Sequence, residues 1–173
     1  MSAPATRLSR QWPLADAAQT QQLGAALARA CPWPAPEALL LFLSGELGAG
    51  KTTLAAALLD ALGVPETIRS PSFSLIEIYA LRSGVAVHVD CYRLAGAREL
   101  EQLGLREYFT ANTLMLIEWP EQAASALPQP DLALHLAFAG AGRICTVSAR
   151  SSAGESWLGQ LEQQLIMSDA NRD

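Results

Sequence analysis

One stretch of the chain combines glycines, a lysine and a threonine in a spacing that suits the binding of a polyphosphate. Residues 45–52 read Gly-Glu-Leu-Gly-Ala-Gly-Lys-Thr and fit the pattern G-x-x-x-x-G-K-[ST] at every fixed position. The glycines let consecutive backbone N–H groups turn toward an anion, and a helix that starts after them adds partial positive charge. The pattern predicts that Lys51 reaches the β- and γ-phosphates of a nucleotide and that the Thr52 hydroxyl binds Mg²⁺.

The surroundings of this glycine-rich loop support that interpretation. An apolar run of strand length precedes it at 39–43, and a helix is predicted after it. Strand, glycine-rich loop and helix together favour a phosphate site over a turn without a ligand. Lys51 is also the only lysine in the chain, every other basic residue being an arginine. One compact ammonium is therefore kept where a planar guanidinium would not fit.

Two carboxylates follow apolar runs elsewhere in the chain. Asp90 comes after the run 85–89, and Glu118 comes after the run 114–117. Acids at the carboxyl ends of buried strands lie on the edge where α/β folds build their sites. Hydrolysis of a nucleotide needs one carboxylate for the metal and one group to orient water. The residues alone do not say which acid has which task.

Other polar and aromatic residues have two or more interpretations. Ser-Pro-Ser at 70–72 follows the predicted loop helix, where it is either a nucleotide-sensing switch or an ordinary turn. A hydrogen-bonded structural role is favoured for His88 over metal binding, because no third ligand lies nearby in the sequence. Arg143 and Arg93 could each contact a phosphate, a base or a surface acid. Trp119 could pack on a base, on the core or on a partner.

Alternating strands and helices must hold these residues in place. Asp16 can cap a helix that runs to about Ala30, and three prolines within 32–36 then end it in a surface loop. Tight connections at 82–84 and 139–142 predict two antiparallel strand pairs, so the sheet must be mixed. The predicted strands are 7–12, 39–43, 74–81, 85–90, 114–117, 132–138 and 143–149, and the predicted helices are 16–30, 53–62, 97–103, 105–109 and 155–167.

The composition is that of a globular chain with an acidic balance. Half of the 173 residues are hydrophobic and 17% are charged, which predicts a single domain over 1–173. Loosely ordered ends are expected at 1–6 and 168–173. The formal net charge is −5, and no run of basic residues exists to supply a nucleic-acid-binding face. Because ATP is also an anion, its binding must depend on local donors.

Cysteines and apolar runs bear on where the protein works. The three cysteines, at 31, 91 and 145, are odd in number and widely spaced, with no C-x-x-C motif. That pattern fits neither a disulfide framework nor a zinc site, and it suits a reducing cytosol. No segment approaches the roughly 18 apolar residues needed to span a bilayer, and 1–14 lacks the apolar core of a signal peptide. We therefore expect a cytoplasmic protein without membrane association.

Several further motifs accompany the glycine-rich loop. They are, in chain order, Ser-Pro-Ser-Phe at 70–73, His-Val-Asp-Cys-Tyr-Arg-Leu at 88–94, Gly-Leu-Arg-Glu-Tyr-Phe at 104–109, Ile-Glu-Trp-Pro-Glu at 117–121 and the segment 148–154. With residues 45–54, this set closely resembles the TsaE family, the bacterial P-loop ATPases of threonylcarbamoyladenosine tRNA modification. The resemblance covers nearly the whole chain, from about Asp16 to Gly154. The combination is far more specific than the loop alone.

The resemblance implies an α/β P-loop NTPase fold with three layers and a mixed parallel and antiparallel central sheet. It implies slow Mg²⁺-dependent ATP hydrolysis that partners stimulate. Those partners are TsaB and TsaD, and TsaD transfers the threonylcarbamoyl group to the adenine at tRNA position 37. The tRNA is then reached only through the complex, which agrees with the acidic charge. Whether the protein self-associates is left open.

The resemblance also implies roles for individual residues. Thr52 and Glu118 correspond to ligands of Mg²⁺, and Asp90 corresponds to the acid needed for hydrolysis, together with Lys51. Ser72 departs from the family pattern, which usually has threonine there, so looser switching is expected because serine lacks the β-methyl group. The residues implied in ATP binding are Gly45, Glu46, Leu47, Gly48, Ala49, Gly50, Lys51, Thr52, Thr53, Ser72, Arg143 and Asp16.

Two functions from other classes compete with this one. A small-molecule kinase would need an acceptor pocket and a lid carrying several arginines over the phosphates. The eleven arginines are scattered, and no insertion is long enough for such a lid. A nucleotide-binding interaction module without turnover is the third possibility, and Asp90 and Glu118 argue against it.

Overall fold

The computed structural model describes residues 8–170, without the side chains of 168–170. The predictions of loose order at 1–6 and at 171–173 therefore lie outside the described residues. The last helix runs from Ser152 to Ala170, three residues beyond its predicted end, and loose order at 168–170 stays a prediction. It also begins three residues earlier than predicted, because the Ser151 hydroxyl accepts a hydrogen bond from Gly154 N at 3.0 Å.

Within the described residues, seven strands form one mixed sheet in the order β1-β7-β6-β2-β5-β4-β3. β6, β2, β5 and β4 run parallel at the centre, and antiparallel strands flank them on each side. This confirms the mixed sheet that the two predicted hairpins required. The strands are β1 (Ser9–Leu14), β2 (Leu39–Gly45), β3 (Ile76–Leu81), β4 (Gly84–Asp90), β5 (Thr113–Glu118), β6 (Leu132–Ala139) and β7 (Gly142–Ala149).

Helices cover both faces of the sheet, which confirms the three-layer α/β arrangement. One face carries α1 (Ala17–Ala30), α2 (Lys51–Ala61) and α4 (Ser152–Ala170). The other carries α3 (Ala97–Gln102) and two 3₁₀ segments. Those segments are Leu105–Tyr108 and Pro120–Ala126. Among the described residues, no helix combines the length and apolar character needed to cross a membrane.

The central strands are apolar throughout because both of their faces are buried. In β2, Leu41 and Leu43 belong to the core under α1, α2 and α4, whereas Leu40 belongs to the core under α3. Alternate residues of a strand point to opposite faces, so one strand contributes to both cores. Trp157 of α4 is fully buried, and its Nε1 donates to Leu27 O at 2.9 Å, which joins α4 to α1.

The start of β3 differs from the prediction, as does the environment of the proline-rich loop. β3 begins at Ile76 and not at residue 74, because Leu75 has φ 65° and its N–H donates to Pro71 O in a turn.

The loop at 32–36 is only partly a surface loop, since Ala35 is buried. It lies beside the starts of β4 and β5, at the opposite end of these strands from Asp90 and Glu118.

Candidate functional site

The glycine-rich loop joins β2 to α2 and depends on its glycines. Gly45, Gly48 and Gly50 have φ values of 132°, 79° and 104°, a region that residues with a side chain rarely adopt. At Gly45 a Cβ would also lie 2.2 Å from Leu136 O of β6. Any larger residue would therefore push β6 away from the loop. α2 begins at Lys51, earlier than predicted, so the loop leads directly into the helix N-terminus.

Lys51 is enclosed by the loop and by one aromatic ring. Its Nζ donates to Gly45 O at 2.7 Å and to Glu46 O at 2.8 Å. The same nitrogen lies 3.8 Å from the centroid of the Trp119 ring, a cation–π contact. Burial lowers the pKa of Lys51, although the nearby carboxylates oppose this effect. The ammonium therefore lies in a space bounded by two carbonyls and an indole.

Thr52 and Glu118 are in direct contact. The Thr52 hydroxyl lies 2.9 Å from Glu118 Oε2 and 3.2 Å from Oε1, and Glu118 is 1% exposed. Across the parallel pair β4 and β5, Asp90 is the register partner of Glu118. Both acids therefore lie at the same edge of the sheet, as the sequence predicted. Their individual roles stay predictions.

Asp90 is held by the predicted switch segment. Its Oδ2 accepts a hydrogen bond from the Ser70 hydroxyl at 2.7 Å, and its Oδ1 accepts one from Tyr92 N at 2.9 Å. Ser72, the predicted nucleotide-binding residue of this segment, is half-buried in the lining of the adjoining cavity. The contact between Ser70 and Asp90 was not foreseen. The switch segment and the candidate hydrolytic acid are thus linked directly.

His88 is fully buried beside Glu118. Its Nε2 lies 2.8 Å from Glu118 Oε1, so the prediction of a hydrogen-bonded histidine is confirmed. The sequence placed His88 near Asp90 but gave no sign that its partner is on the neighbouring strand. The strand register explains the contact. Asp90 and Glu118 pair across β4 and β5, and His88 lies two residues before Asp90 on β4.

A cavity of about 370 Å³ brings most of the predicted residues together. Trp119 also packs against Tyr92, with 4.9 Å between ring centroids, and the Arg93 guanidinium lies 4.5 Å from the Phe73 ring centroid. The sequence left the contacts of Trp119 and Arg93 open, and the structure shows that both residues pack against aromatic rings. The cavity is lined by Leu47, Gly48, Gly50, Lys51, Thr52, Thr53, Ser70, Ser72, Asp90, Tyr92, Arg93, Glu118 and Trp119.

Five of the predicted nucleotide-binding residues are not part of that lining: Asp16, Gly45, Glu46, Ala49 and Arg143. Arg143 pairs with Leu14 across β1 and β7, and its Nη2 donates to Gly48 O at 3.2 Å. Asp16 follows Leu14 by two residues and caps α1, its Oδ1 accepting from Gln19 N at 2.9 Å. The predicted cap is therefore confirmed. A nucleotide contact for Asp16 or Arg143 stays a prediction.

Comparisons with known proteins converge on one family. The model for the family described as "Threonylcarbamoyl adenosine biosynthesis protein TsaE" matches residues 14–144. The tRNA threonylcarbamoyladenosine biosynthesis protein TsaE of Haemophilus influenzae is 35% identical over 120 residues, which are 69% of this chain and 76% of that protein. The protein of the same name from Bacillus subtilis is 39% identical over 103 residues, 58% of this chain and 63% of that protein. The crystal structure of Bacillus subtilis YdiB superposes with a TM-score of 0.77 and 27% identity, covering 92% of this chain and 98% of that one.

Proposed function

The chain belongs to the TsaE family of threonylcarbamoyl adenosine biosynthesis proteins, and we propose that it serves that tRNA modification as a slow, Mg²⁺-dependent ATPase. Family membership supports the pathway. The chemistry of the loop and the two acids supports the ATPase activity. Each part of the proposal has its own experiment.

The contact between Thr52 and Glu118 carries the ATPase proposal. A threonine hydroxyl and a carboxylate are hard oxygen donors, which Mg²⁺ prefers, and they lie 2.9 Å apart at the start of α2. Mg²⁺ at such sites usually takes one or two protein ligands and completes its shell with water and phosphate oxygens. The donor set therefore fits a magnesium ion held by Thr52 and Glu118 together with a nucleotide.

The surroundings of the loop also fit an anion. Arg143 Nε is buried and has no hydrogen-bond partner within the described residues. It lies 3.7 Å from the position that a Cβ would occupy on Gly50, so this donor is beside the loop backbone. Buried polar groups are seldom left unpaired, and an acceptor such as a phosphate oxygen would satisfy this one.

Each residue has a task in the proposed reaction. Lys51 and the loop N–H groups hold the phosphates, and Arg143 adds a second cation beside Gly48. Mg²⁺ neutralises charge on the phosphates when it is bound. Asp90 orients the attacking water, and Ser70 connects that acid to the switch segment.

In this proposal, ATP hydrolysis serves the activity of partner proteins. TsaB and TsaD form the complex on which the protein works, and TsaD carries out the transfer to tRNA. The net charge of −5 disfavours a direct contact with the phosphate backbone of tRNA. The protein therefore reaches tRNA through its partners.

Hydrolysis is tested first with two substitutions in the site. Lys51→Ala and Glu118→Ala are each expected to lower Mg²⁺-dependent phosphate release from ATP by roughly 100-fold or more, because each removes a group that stabilises developing charge. Arg98→Ala, an exposed change on α3, is the matched control and should leave the rate unchanged. Hydrolysis at the original rate in both site variants would mean that the activity lies elsewhere.

The partner role is tested by reconstitution. We expect addition of the TsaB–TsaD pair to raise the ATPase rate, and we expect repeated rounds of tRNA modification to require this protein. The amount of modified tRNA formed per TsaD is measured with and without it. Equal turnover in both reactions would refute the role in the complex while leaving the ATPase result intact.

A further inference from the structure

His88 is placed by β4 on the face of the sheet that packs against α2. Its register partner on β5 is Leu116, and Ala86, two residues earlier, points to the same face. Both Ala86 and Leu116 belong to the core that contains Leu54 of α2. The imidazole is 0% exposed, so it reaches the site from the interior and not from the cavity. A polar ring in such surroundings needs a partner to offset its burial.

Its partner is the carboxylate proposed to bind Mg²⁺. His88 Nε2 lies 2.8 Å from Glu118 Oε1, and Thr52 Oγ1 lies 2.9 Å from Glu118 Oε2. Among the described residues, these are the two side chains hydrogen-bonded to Glu118. Each carboxylate oxygen therefore has a close partner on a different side, one from α2 and one from β4.

The proton of this contact belongs on His88 Nε2. An ionised carboxylate only accepts hydrogen bonds, so the imidazole must donate. His88 Nδ1 has no partner within the described residues. The contact with the carboxylate therefore requires a hydrogen on Nε2.

We propose that His88 is a positioning residue, one whose Nε2–H fixes the Glu118 carboxylate for Mg²⁺ without touching the metal. The inference rests on the proposed function, since it concerns the same metal. A glutamate fixed in one orientation loses less rotamer freedom when it binds an ion. A hydrogen-bond partner of a metal ligand typically improves metal affinity by roughly 10- to 100-fold.

The tautomer is tested by NMR of the ring nitrogens. Only two histidines are present, so the long-range ¹⁵N spectrum contains two spin systems, and a His135→Gln variant assigns them. We expect the spectrum to show a hydrogen on His88 Nε2. A spectrum with the hydrogen on Nδ1 would overturn the proposal, because Nε2 could then not donate to Glu118.

Metal affinity is tested with paired substitutions at His88. His88→Met replaces the imidazole with an apolar side chain of similar size, which removes the donor. His88→Gln places an amide N–H at a similar distance along the side chain. The affinity of the protein loaded with the non-hydrolysable analogue AMPPNP for Mn²⁺ is measured by EPR. We expect the Mn²⁺ dissociation constant to rise by roughly 10- to 100-fold in His88→Met and to recover in His88→Gln. AMPPNP affinity in EDTA should be the same in all three proteins.

Controls separate positioning from general damage and from failure of the proposed function. His135→Met changes the other histidine, which is exposed and bonded to Ser44, and should not alter Mn²⁺ affinity. Unchanged Mn²⁺ affinity in folded His88→Met would overturn the proposal. A loss of AMPPNP affinity in EDTA as large as the loss of Mn²⁺ affinity would also overturn it. If the unsubstituted protein loaded with AMPPNP bound no Mn²⁺, the proposed function itself would fail, and this inference with it.

Discussion

At the scale of single residues, two neighbours at the end of β5 contact two neighbours at the start of α2. Glu118 meets Thr52, and Trp119 meets Lys51. Trp119 has φ 56°, and its N–H donates to Leu43 O at 3.0 Å as the chain leaves the strand. This turn brings the indole over the lysine instead of continuing the strand. The strand end and the helix start therefore form one unit.

The enclosure of Lys51 makes its chemistry specific. Two carbonyl oxygens within 2.8 Å and an indole at 3.8 Å suit a compact ammonium better than a planar guanidinium. Lys51→Arg keeps the charge, yet we expect it to lose the charged hydrogen bonds of the site, which are worth about 1.5–3 kcal/mol. ATP affinity measured by calorimetry should therefore fall by roughly 10- to 100-fold.

The matched control for this change is Arg98→Lys, a swap in the opposite direction on the exposed face of α3. It should leave ATP affinity unchanged. If Lys51→Arg bound ATP as tightly as the original protein, charge alone would matter at this position. The structure would then not explain why the sole lysine of the chain is at this position.

The sequence predicted which residue types meet at the site better than it predicted their partners. Asp90 and Glu118 were expected at one edge because both end apolar strands, and they are register partners. The bond from Ser70 to Asp90 was not foreseen. The chain between them turns at Leu75, whose O accepts from Asp90 N and whose φ of 65° has no signature in a non-glycine residue. Contacts that depend on unusual backbone angles are not encoded in spacing.

At the scale of elements, α1 and α2 approach each other closely at Gly24. A Cβ on Gly24 would lie 2.5 Å from Leu54 O and 3.0 Å from Ala57 Cβ, both on α2. The nearer atom is backbone, which cannot rotate away. We expect Gly24→Ala to lower the free energy of unfolding by about 1–3 kcal/mol, because α2 must shift and carry the glycine-rich loop with it. Urea denaturation measures the effect.

Gly159 of α4 provides the opposite case. Nothing lies within 4 Å of the position of its Cβ, so alanine adds no clash there. Gly159→Ala should raise the free energy of unfolding by about 0.5–1 kcal/mol, since alanine has the higher helix propensity. If both substitutions changed stability in the same direction, the close approach of α1 and α2 would not be the cause.

Long elements with a clear period were predicted well, as were the two short helices at 97–103 and 105–109, whereas the irregular segment after β5 was not. α1 was predicted from its Asp16 cap, and the antiparallel hairpins from their tight connections. The 3₁₀ segment Pro120–Ala126 was missed, because it is short and contains a non-helical residue, Ala123. Its position after Trp119 matters, since the backbone turn there places the indole over Lys51. Local periodicity cannot reveal such a turn.

At the scale of the whole molecule, the sheet separates two cores, and each contains at least one buried thiol. Cys31 and Cys145 lie in the core under α1, α2 and α4, and Cys91 lies in the core under α3. Burial raises the pKa of each thiol from its usual 9.0 to about 12, and the carboxylates of Asp90 and Glu121 add to the effect at Cys91. The thiols therefore report on the packing of both faces.

These thiols make stability fall at high pH. Below pH 9 the folded and unfolded chains both keep the thiol protons, so the full stability is present. Between pH 9 and about 12 the unfolded chain loses them while the folded chain retains them. Each thiol then lowers the free energy of unfolding by about 1.4 kcal/mol per pH unit. Urea denaturation at a series of pH values across this window measures the slope.

A single substitution isolates the contribution of one thiol from that of other groups. Burial also raises the pKa of Tyr79, which changes stability in the same direction, so the total slope is not specific to cysteine. Cys145→Ala removes one thiol that is fully buried and leaves Tyr79 in place. Its slope should be smaller than that of the original protein by about 1.4 kcal/mol per pH unit. Equal slopes would mean that Cys145 ionises as readily in the folded chain as in the unfolded one, and that the core around β7 admits water.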